Sequence, residues 1–305
     1  MADLLALLAS SPAFFIGTCL VFGLVVGSFL NVVIYRIPVM LERQWHDQCM
    51  ELAAQSTPAT LGEAQTVEPF NLVVPRSACR TCKAPITAIQ NIPVFSYLFL
   101  KGRCASCGTR ISPRYPAVEA LTGLLSAAVA WKFGFGLPAL AALVLTWFLI
   151  TLTFIDVDCQ LLPDNLTLPL LWIGLLLSLW GPAVGDAPIP LDTHASIIGA
   201  IAGYLSLWSV YHVFRLLTGK EGMGYGDFKL FAALGAWLGW KMLLPIIVIA
   251  AAVGAVVGIA MLAVRGQNRS TPIPFGPFLA TAGWLMLMFG QELVTGYLGL
   301  FSPRP

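Results

Sequence analysis

Long apolar runs without charged residues recur along most of this chain, and they restrict its possible folds more than any short motif does. Hydrophobic residues make up 58% of the 305 residues, and charged residues only 10%. A run of about twenty apolar residues can cross a bilayer as a helix, because a helix satisfies its own backbone hydrogen bonds in hydrocarbon. The sequence therefore predicts an all-α polytopic membrane protein. The net charge of +2 gives no indication of a nucleic-acid partner.

The apolar pattern predicts about eight transmembrane helices. The first is expected to span residues 12–34, and Pro38 is expected to end this helix. The other seven are expected near 117–134, 138–155, 166–181, 195–217, 228–240, 243–264 and 274–298. Two glycines four residues apart allow helices to approach closely, and this spacing occurs at Gly23 and Gly27, Gly199 and Gly203, and Gly254 and Gly258.

Four of the seven cysteines form two Cys-x-x-Cys pairs in the long polar segment 35–116: Cys79 with Cys82, and Cys104 with Cys107. Each pair presents two thiolates to one side of a tetrahedral zinc ion, and the spacing of the pairs is typical of a zinc ribbon. Two redox-active pairs are the alternative. We therefore predict a small zinc-ribbon-like insertion between the first two spans.

The distribution of lysine and arginine predicts which side of the membrane faces the cytoplasm. Segment 35–116 carries nine of the 17 basic residues, and the connections 215–229 and 265–273 carry five more. With eight spans these regions share one side, which the positive-inside rule assigns to the cytoplasm. A reducing compartment agrees with metal-binding thiolates.

Two acidic regions are expected at the same cytoplasmic face. The connection 156–165 begins with Asp156 and Asp158, and the glycine-rich stretch 222–227 ends in Asp227. Two carboxylates held close together can share a proton, so that one acts as a base on a water and the other as an acid toward a carbonyl oxygen. This is aspartyl protease chemistry. Asp156 continues the apolar helix directly, and it is the best partner for Asp227.

The other residues of these stretches have separate expected roles. Asp158 can tune or position Asp156, and Asp164 is expected to cap the next helix. The glycines at 222, 224 and 226 are expected to allow close backbone approach and unusual dihedral angles where a substrate is held extended. Interfacial acids with a helix cap, or a metal site with two aspartates, are the alternatives for the acidic cluster.

Together these motifs resemble the type IV prepilin peptidases of bacteria, within the GxGD group of aspartyl proteases. The matching stretches are 27–33, the two cysteine pairs, 114–116, 155–158, 162–164, 224–229 and 272–277. The resemblance implies a bifunctional enzyme of the inner membrane. Such enzymes cleave the leader of prepilins and pseudopilins at the cytoplasmic face and then N-methylate the new N-terminal residue with S-adenosylmethionine. The resemblance assigns the catalytic pair to Asp156 and Asp227, and it locates no methyl-donor residues.

We therefore expect three parts: a first transmembrane helix at 1–34, a cytoplasmic zinc-binding segment at 35–116, and a transmembrane aspartyl peptidase core at 117–305. The zinc would be structural, because four thiolates leave no open coordination position. A membrane scaffold or transporter subunit with a zinc-ribbon docking module is the alternative from another class. Two acids at one membrane face disfavour it, as does the absence of an internal sequence repeat. A GxGD protease for ordinary single-span substrates is disfavoured by the zinc segment.

Overall fold

The computed structural model describes residues 2–56, 69–180, 192–265 and 273–301. Within these ranges the regular elements are helices, and extended structure is limited to two isolated bridges, Ala78–Pro85 and Arg103–Arg110. Residues 69–88 and 100–113 consist of turns, bends and coil around these bridges. The all-α class predicted from the sequence is confirmed. The α-helices are α1 (Ala2–Ser10), α2 (Pro12–Ser56), α3 (Phe95–Phe99), α4 (Arg114–Phe133), α5 (Leu137–Cys159), α6 (Asp164–Ser178), α7 (Thr193–Thr218), α8 (Tyr225–Leu238), α9 (Leu243–Arg265) and α10 (Gly276–Phe301).

Four stretches of the described chain are long and apolar enough to cross a membrane: Pro12–Ala53, Leu137–Cys159, Thr193–Thr218 and Trp240–Met261. Helix α6 is apolar but has only 15 residues, and α8 has 14. The predicted count of eight spans therefore stays a prediction. The last of the four stretches begins in a single 3₁₀ turn, Trp240–Met242, that leads directly into α9.

The chain divides into two compact units. One contains Met1–Thr18 and Ser126–Pro305, and the other contains Cys19–Leu125. The boundaries of these units fall within α2 and α4. The predicted division at residues 34 and 116 is a different one, and it stays a prediction.

Helix α8 forms the core of the first unit. All residues from 230 to 238 are buried, as expected for a helix that is apolar on every face. Glycines let the α7 backbone approach it: a Cβ atom at Gly199 would lie 2.2 Å from the carbonyl oxygen of Gly235, and one at Gly203 would lie 2.7 Å from that of Phe231. The close packing predicted for this glycine pair is confirmed.

In the second unit, α2 continues through Pro38 to Ser56. The prediction that Pro38 ends this helix is wrong. A proline inside a helix costs about 3 kcal/mol, and tertiary contacts next to it offset that cost. The buried guanidinium of Arg36 donates hydrogen bonds to the carbonyl oxygens of Asn71 at 2.7 Å and Pro75 at 2.5 Å.

Polar side chains join α2 to α4 in the second unit. Asn31 Nδ2 donates to the carbonyl oxygen of Tyr115 at 3.1 Å, and Ser28 hydrogen-bonds to the side chain of Glu119. Glu119 also accepts a hydrogen bond of 2.7 Å from the backbone N–H of Val94. These bonds satisfy groups that would otherwise be buried without partners.

Candidate active site and metal centre

Asp156 lies in the last turn of α5, where the helix leaves the apolar core. Its side chain is buried, whereas Asp158, two residues later, is exposed. The helix ends because Gln160 adopts a left-handed conformation (φ 52°), and its backbone N–H closes the helix on the carbonyl oxygen of Asp156. The prediction that Asp156 directly continues the apolar helix is confirmed.

The carboxylate of Asp156 faces the beginning of α10. Its Oδ2 atom accepts a hydrogen bond of 3.0 Å from the backbone N–H of Gly276, the first residue of that helix. A Cβ atom at position 276 would lie 2.6 Å from the same oxygen. Only glycine fits at this position without displacing the carboxylate. The helix predicted to begin near residue 274 begins at Gly276.

Asp227 lies in the first turn of α8, and its side chain is also buried. Its backbone N–H donates to the carbonyl oxygen of Gly224 at 3.2 Å. Its Oδ1 atom is buried and has no hydrogen-bond partner within the described residues. The carboxyl groups of Asp227 and Asp156 are close enough to interact electrostatically. The structure therefore brings together the two acids that the sequence analysis paired.

Leu162 links the two sides of this site. A Cβ atom at Gly226 would lie 2.6 Å from Leu162 Cβ, and one at Gly276 would lie 3.2 Å from Leu162 Cδ1. The short connection after α5 is therefore packed against the first turns of both α8 and α10. Sequence reasoning quoted Leu162 in a motif but gave it no role, because these contacts join segments distant along the chain.

The glycine run before Asp227 does not use unusual backbone dihedrals. Among the described glycines, those with left-handed φ values lie at other positions, and Gly222, Gly224 and Gly226 are not among them. The prediction of unusual dihedrals here is wrong, and the prediction of close approach holds for Gly226 against Leu162. Position 226 therefore requires glycine because Leu162 packs against it, and not because the backbone has an unusual conformation there.

Asp164 and Lys229 form an ion pair beside the two buried acids, with Lys229 Nζ 2.5 Å from Asp164 Oδ1. Asp164 is the first residue of α6, and Pro163 occupies the N-cap position without a side-chain cap. The prediction that Asp164 caps this helix is wrong, because Pro163 occupies the N-cap position and Asp164 is already helical. The pair joins the first residue of α6 to the fifth residue of α8. In the sequence, this ion pair is indicated only by the position of Lys229, two residues after Asp227.

Both Cys-x-x-Cys pairs lie on the same kind of turn in the second unit. In each, the first cysteine N–H donates to the residue five positions later, to Ala84 in one turn and to Thr109 in the other. The residue four positions after the first cysteine has a left-handed backbone conformation in both turns: Lys83 has φ 60° and Gly108 has φ 69°. Repeating this turn places the two pairs of sulfurs in equivalent positions.

The four sulfurs meet in one cluster. The Sγ atoms of Cys79, Cys82, Cys104 and Cys107 all lie within 4.8 Å of one another. Around a tetrahedral zinc ion with Zn–S bonds of about 2.3 Å, sulfurs are about 3.8 Å apart. Cys79 Sγ and Cys107 Sγ, from different pairs, are 3.8 Å apart. The cluster could therefore hold a metal ion such as zinc.

Hydrogen bonding also favours the ligand form of one of these cysteines. The side-chain and backbone groups of Thr109 lower the pKa of Cys107 to about 6, and Cys107 Sγ lies 3.3 Å from Thr109 Oγ1. A thiolate, and not a thiol, binds metal. Thr109 was not singled out by sequence reasoning, although it lies two residues after a predicted ligand.

Comparison with known families matches most of the chain. Residues 21–133 match the bacterial peptidase A24 N-terminal domain, and residues 143–259 match the type IV leader peptidase family. The second match contains both Asp156 and Asp227, and the first contains the four cysteines. No solved structure matches significantly.

Curated relatives match over nearly their whole length. A prepilin leader peptidase/N-methyltransferase of Aeromonas salmonicida (strain A449) is 52% identical over 300 residues, which cover 98% of this chain and 99% of the relative. One of Aeromonas hydrophila is 52% identical over 303 residues, 99% of this chain and 100% of the relative. One of Pseudomonas aeruginosa is 49% identical over 300 residues, 97% of each. The chain therefore belongs to the type IV leader peptidase family.

Proposed function

We propose that this chain is a membrane-embedded aspartyl endopeptidase that cleaves the leader of type IV prepilins and pseudopilins and then N-methylates the new N-terminal residue. Relatives that are about half identical to it carry the name prepilin leader peptidase/N-methyltransferase. One observation supports the peptidase activity above all others: two buried carboxyl groups, Asp156 and Asp227, interact at the ends of three helices. We assign the catalytic roles to this pair.

The surroundings of the two carboxyl groups are unequal, and we infer their separate roles from this inequality. Asp156 accepts a backbone hydrogen bond at the N-terminus of α10, where the helix dipole favours a negative charge. The carboxyl group of Asp227 has a hydrogen bond from the Gly224 backbone, but its Oδ1 atom is buried without a hydrogen-bond partner in the described chain. Burying a charged oxygen without a donor is costly. The proton shared by the pair therefore resides on Asp227 in the free enzyme, and Asp156 is the anion.

This arrangement leads to a balanced hydrolysis. Asp156 takes a proton from a water molecule as the water oxygen bonds to the scissile carbonyl carbon, and Asp227 donates its proton to the carbonyl oxygen. The tetrahedral intermediate collapses when Asp156 passes its new proton to the leaving amide nitrogen and the C–N bond breaks. One hydroxyl of the intermediate, which becomes the carboxyl carbonyl, returns its proton to Asp227. One water is consumed, and the pair ends with its single shared proton.

A substrate chain can reach this pair beside Gly224. This residue is exposed, and a Cβ atom there would meet the Oδ2 atom of Asp227 at 3.6 Å, which is ordinary contact. A peptide bond must leave a helix to be attacked, because helical carbonyls are already hydrogen-bonded. The absence of a side chain at 224 leaves space for an extended backbone next to Asp227.

We assign a structural zinc ion to Cys79, Cys82, Cys104 and Cys107. Four thiolates complete a tetrahedral coordination shell, so the ion would fold the second unit and not bind substrate. S-adenosylmethionine would supply the methyl group for the second activity. We assign no residue to its binding, and we favour the polar segment 35–116 as the region that contributes to it.

The proposed location is the bacterial inner membrane, with the active site and the cysteine cluster on the cytoplasmic side. The lysines and arginines support this orientation, since nine of 17 lie in segment 35–116. Prepilins, pseudopilins and the lipid bilayer are the proposed partners, and nucleic acid is not among them.

Incubation of the purified protein with a prepilin and S-adenosylmethionine tests both activities in one sample. Mass spectrometry of the pilin is expected to show loss of the leader and a gain of one methyl group on the new N-terminus. Without the methyl donor, cleavage alone is expected. An intact prepilin after incubation with folded enzyme would contradict the proposal.

A further inference from the structure

Helix α3 presents a row of large apolar side chains to its surroundings. Phe95, Leu98 and Phe99 are 58%, 64% and 86% exposed. They are spaced i, i+3 and i+4, so they lie on one face of the helix. The exposed apolar residues of α2, α5, α7 and α9 belong to stretches that can cross a bilayer. Those of α3 do not, and another contact must cover them.

The opposite face of α3 is attached to the second cysteine turn. Tyr97 donates a hydrogen bond of 3.4 Å from its hydroxyl to the carbonyl oxygen of Ile111. Its ring packs on Gly102, where a Cβ atom would lie 2.8 Å from it. Since Tyr97 faces inward, the outward direction of the apolar row is determined by the fold.

The segment that carries this row is strongly basic. Between residues 69 and 116 the sequence contains no aspartate or glutamate, and it contains seven basic residues: Arg76, Arg80, Lys83, Lys101, Arg103, Arg110 and Arg114. A zinc ion bound by four thiolates would have a net charge of only −2. Most of the positive charge of residues 69–116 is therefore not balanced by negative charge within the same segment.

Two of these cations face each other. Arg103 and Arg110 are directly opposite in an antiparallel bridge, and both are exposed. Like charges opposite each other in such a pair are destabilising. Lys101 lies two residues before Arg103 and is also exposed. A cluster of three cations next to an apolar row indicates a partner that is apolar and anionic at once.

We propose that α3 and the adjacent cations of the second unit dock on an anionic lipid surface, with Phe95, Leu98 and Phe99 among the acyl chains and the cations among the headgroups. Apolar side chains flanked by lysine and arginine are typical of interfacial membrane binding. The segment is also connected to α2, which contains a candidate membrane span. A membrane surface is therefore within reach, and this docking does not depend on the proposed peptidase activity.

Photocrosslinking of the full chain in nanodiscs tests the proposal. Phe99 is replaced by p-benzoylphenylalanine, and lipid adducts are counted by mass spectrometry in phosphatidylcholine discs with and without phosphatidylglycerol. We expect lipid adducts at position 99, at least about fivefold more abundant with the anionic lipid, because the surface potential concentrates cationic segments. The same probe at Thr81, an exposed polar residue of the first cysteine turn, is expected to give few adducts in either disc.

Removal of the cations distinguishes lipid docking from a general apolar contact. The triple variant Lys101→Gln, Arg103→Gln, Arg110→Gln is expected to reduce the adducts at position 99 to the level in phosphatidylcholine alone. Its unfolding temperature is measured in parallel, so that loss of the fold is recognised. Adducts to another protein chain instead of lipid, or equal yields in both discs, would overturn the proposal. Leader cleavage in detergent is expected to be unchanged by the Phe99 probe, which separates this test from the proposed function.

Discussion

The Oδ2 atom of Asp156 accepts a hydrogen bond of 3.0 Å from the backbone N–H of Gly276. These residues are 120 positions apart, and the bond joins the end of α5 to the beginning of α10. The other acid of the pair, Asp227, has a buried oxygen without such a donor in the described chain. The asymmetry of the proposed dyad therefore depends on where α10 begins, and residue 276 is the position that tests it most directly.

Gly276→Ala is expected to reduce leader cleavage about 100-fold, because its methyl group would lie 2.6 Å from Asp156 Oδ2 and misplacement of a catalytic group by about 1 Å costs this much. The measurement is kcat/KM on a purified prepilin. Gly17→Ala is the matched control, since nothing lies within 4 Å of a Cβ there. Equal activity of the two variants would show that Asp156 does not need this contact.

Asp156→Asn and Asp227→Asn are each expected to lower cleavage by about 10⁴-fold, as removal of an essential catalytic group does in other proteases. Expression and unfolding temperature should remain close to those of the parent. Asp47→Asn is the control, because Asp47 is an exposed acid on α2 and lies outside the unit that contains the pair. If either single variant cleaved prepilin normally, the dyad assignment would be wrong.

The sequence predicted the pairing of Asp156 with Asp227 because local features carry it. An apolar helix runs directly into Asp156, and a buried helix follows Asp227, so each acid lies at the end of an apolar stretch. It did not predict the ion pair of Asp164, because Lys229 is 65 residues away. Only the packing of α6 against α8 brings these two residues together.

Contacts with residues distant along the chain also explain why the predicted end of α2 at Pro38 is wrong. Proline is a local signal for the end of a helix, but the side-chain hydrogen bonds next to Pro38 go from Arg36 to the carbonyl oxygens of Asn71 and Pro75. These partners lie more than thirty residues ahead. The glycine run was misjudged for a related reason, since the requirement at Gly226 comes from Leu162 in another part of the chain.

The ion pair between Lys229 and Asp164 is expected to position the first turn of α8. Lys229→Ala should lower kcat for leader cleavage by about tenfold through misalignment of Asp227, with little change in KM. Its effect on stability should be small, about 0.2–1 kcal/mol, because the Asp164 side chain is 53% exposed and the pair is screened by solvent.

Two further variants identify the cause of that loss. Lys229→Arg should retain most of the activity, since it keeps the charge. Exchange of both residues, Asp164→Lys with Lys229→Asp, should restore activity only in part, because a lysine at the start of α6 opposes the helix dipole. An unchanged kcat in Lys229→Ala would exclude a positioning role.

The contact between α7 and α8 should tolerate no side chain at position 199. A Cβ atom there would lie 2.2 Å from the carbonyl oxygen of Gly235, so Gly199→Ala must separate two backbones. We expect a loss of about 3 kcal/mol, at the upper end for overpacking. Unfolding in mild detergent with a chemical denaturant measures it, and Gly17→Ala should be neutral or slightly stabilising in the same assay.

The cysteine cluster is expected to bind about one zinc ion per chain, because four thiolates form one tetrahedral shell. Metal analysis of protein purified under reducing conditions measures the ratio. Cys82→Ser should lower the zinc content and the unfolding temperature of the second unit, whereas Cys49→Ser, an exposed cysteine outside the cluster, should change neither. Zinc would then support the fold of this unit without taking part in peptide hydrolysis, so chelation should destabilise the protein before it affects the rate at Asp156 and Asp227. A parent protein without zinc would exclude the structural metal site.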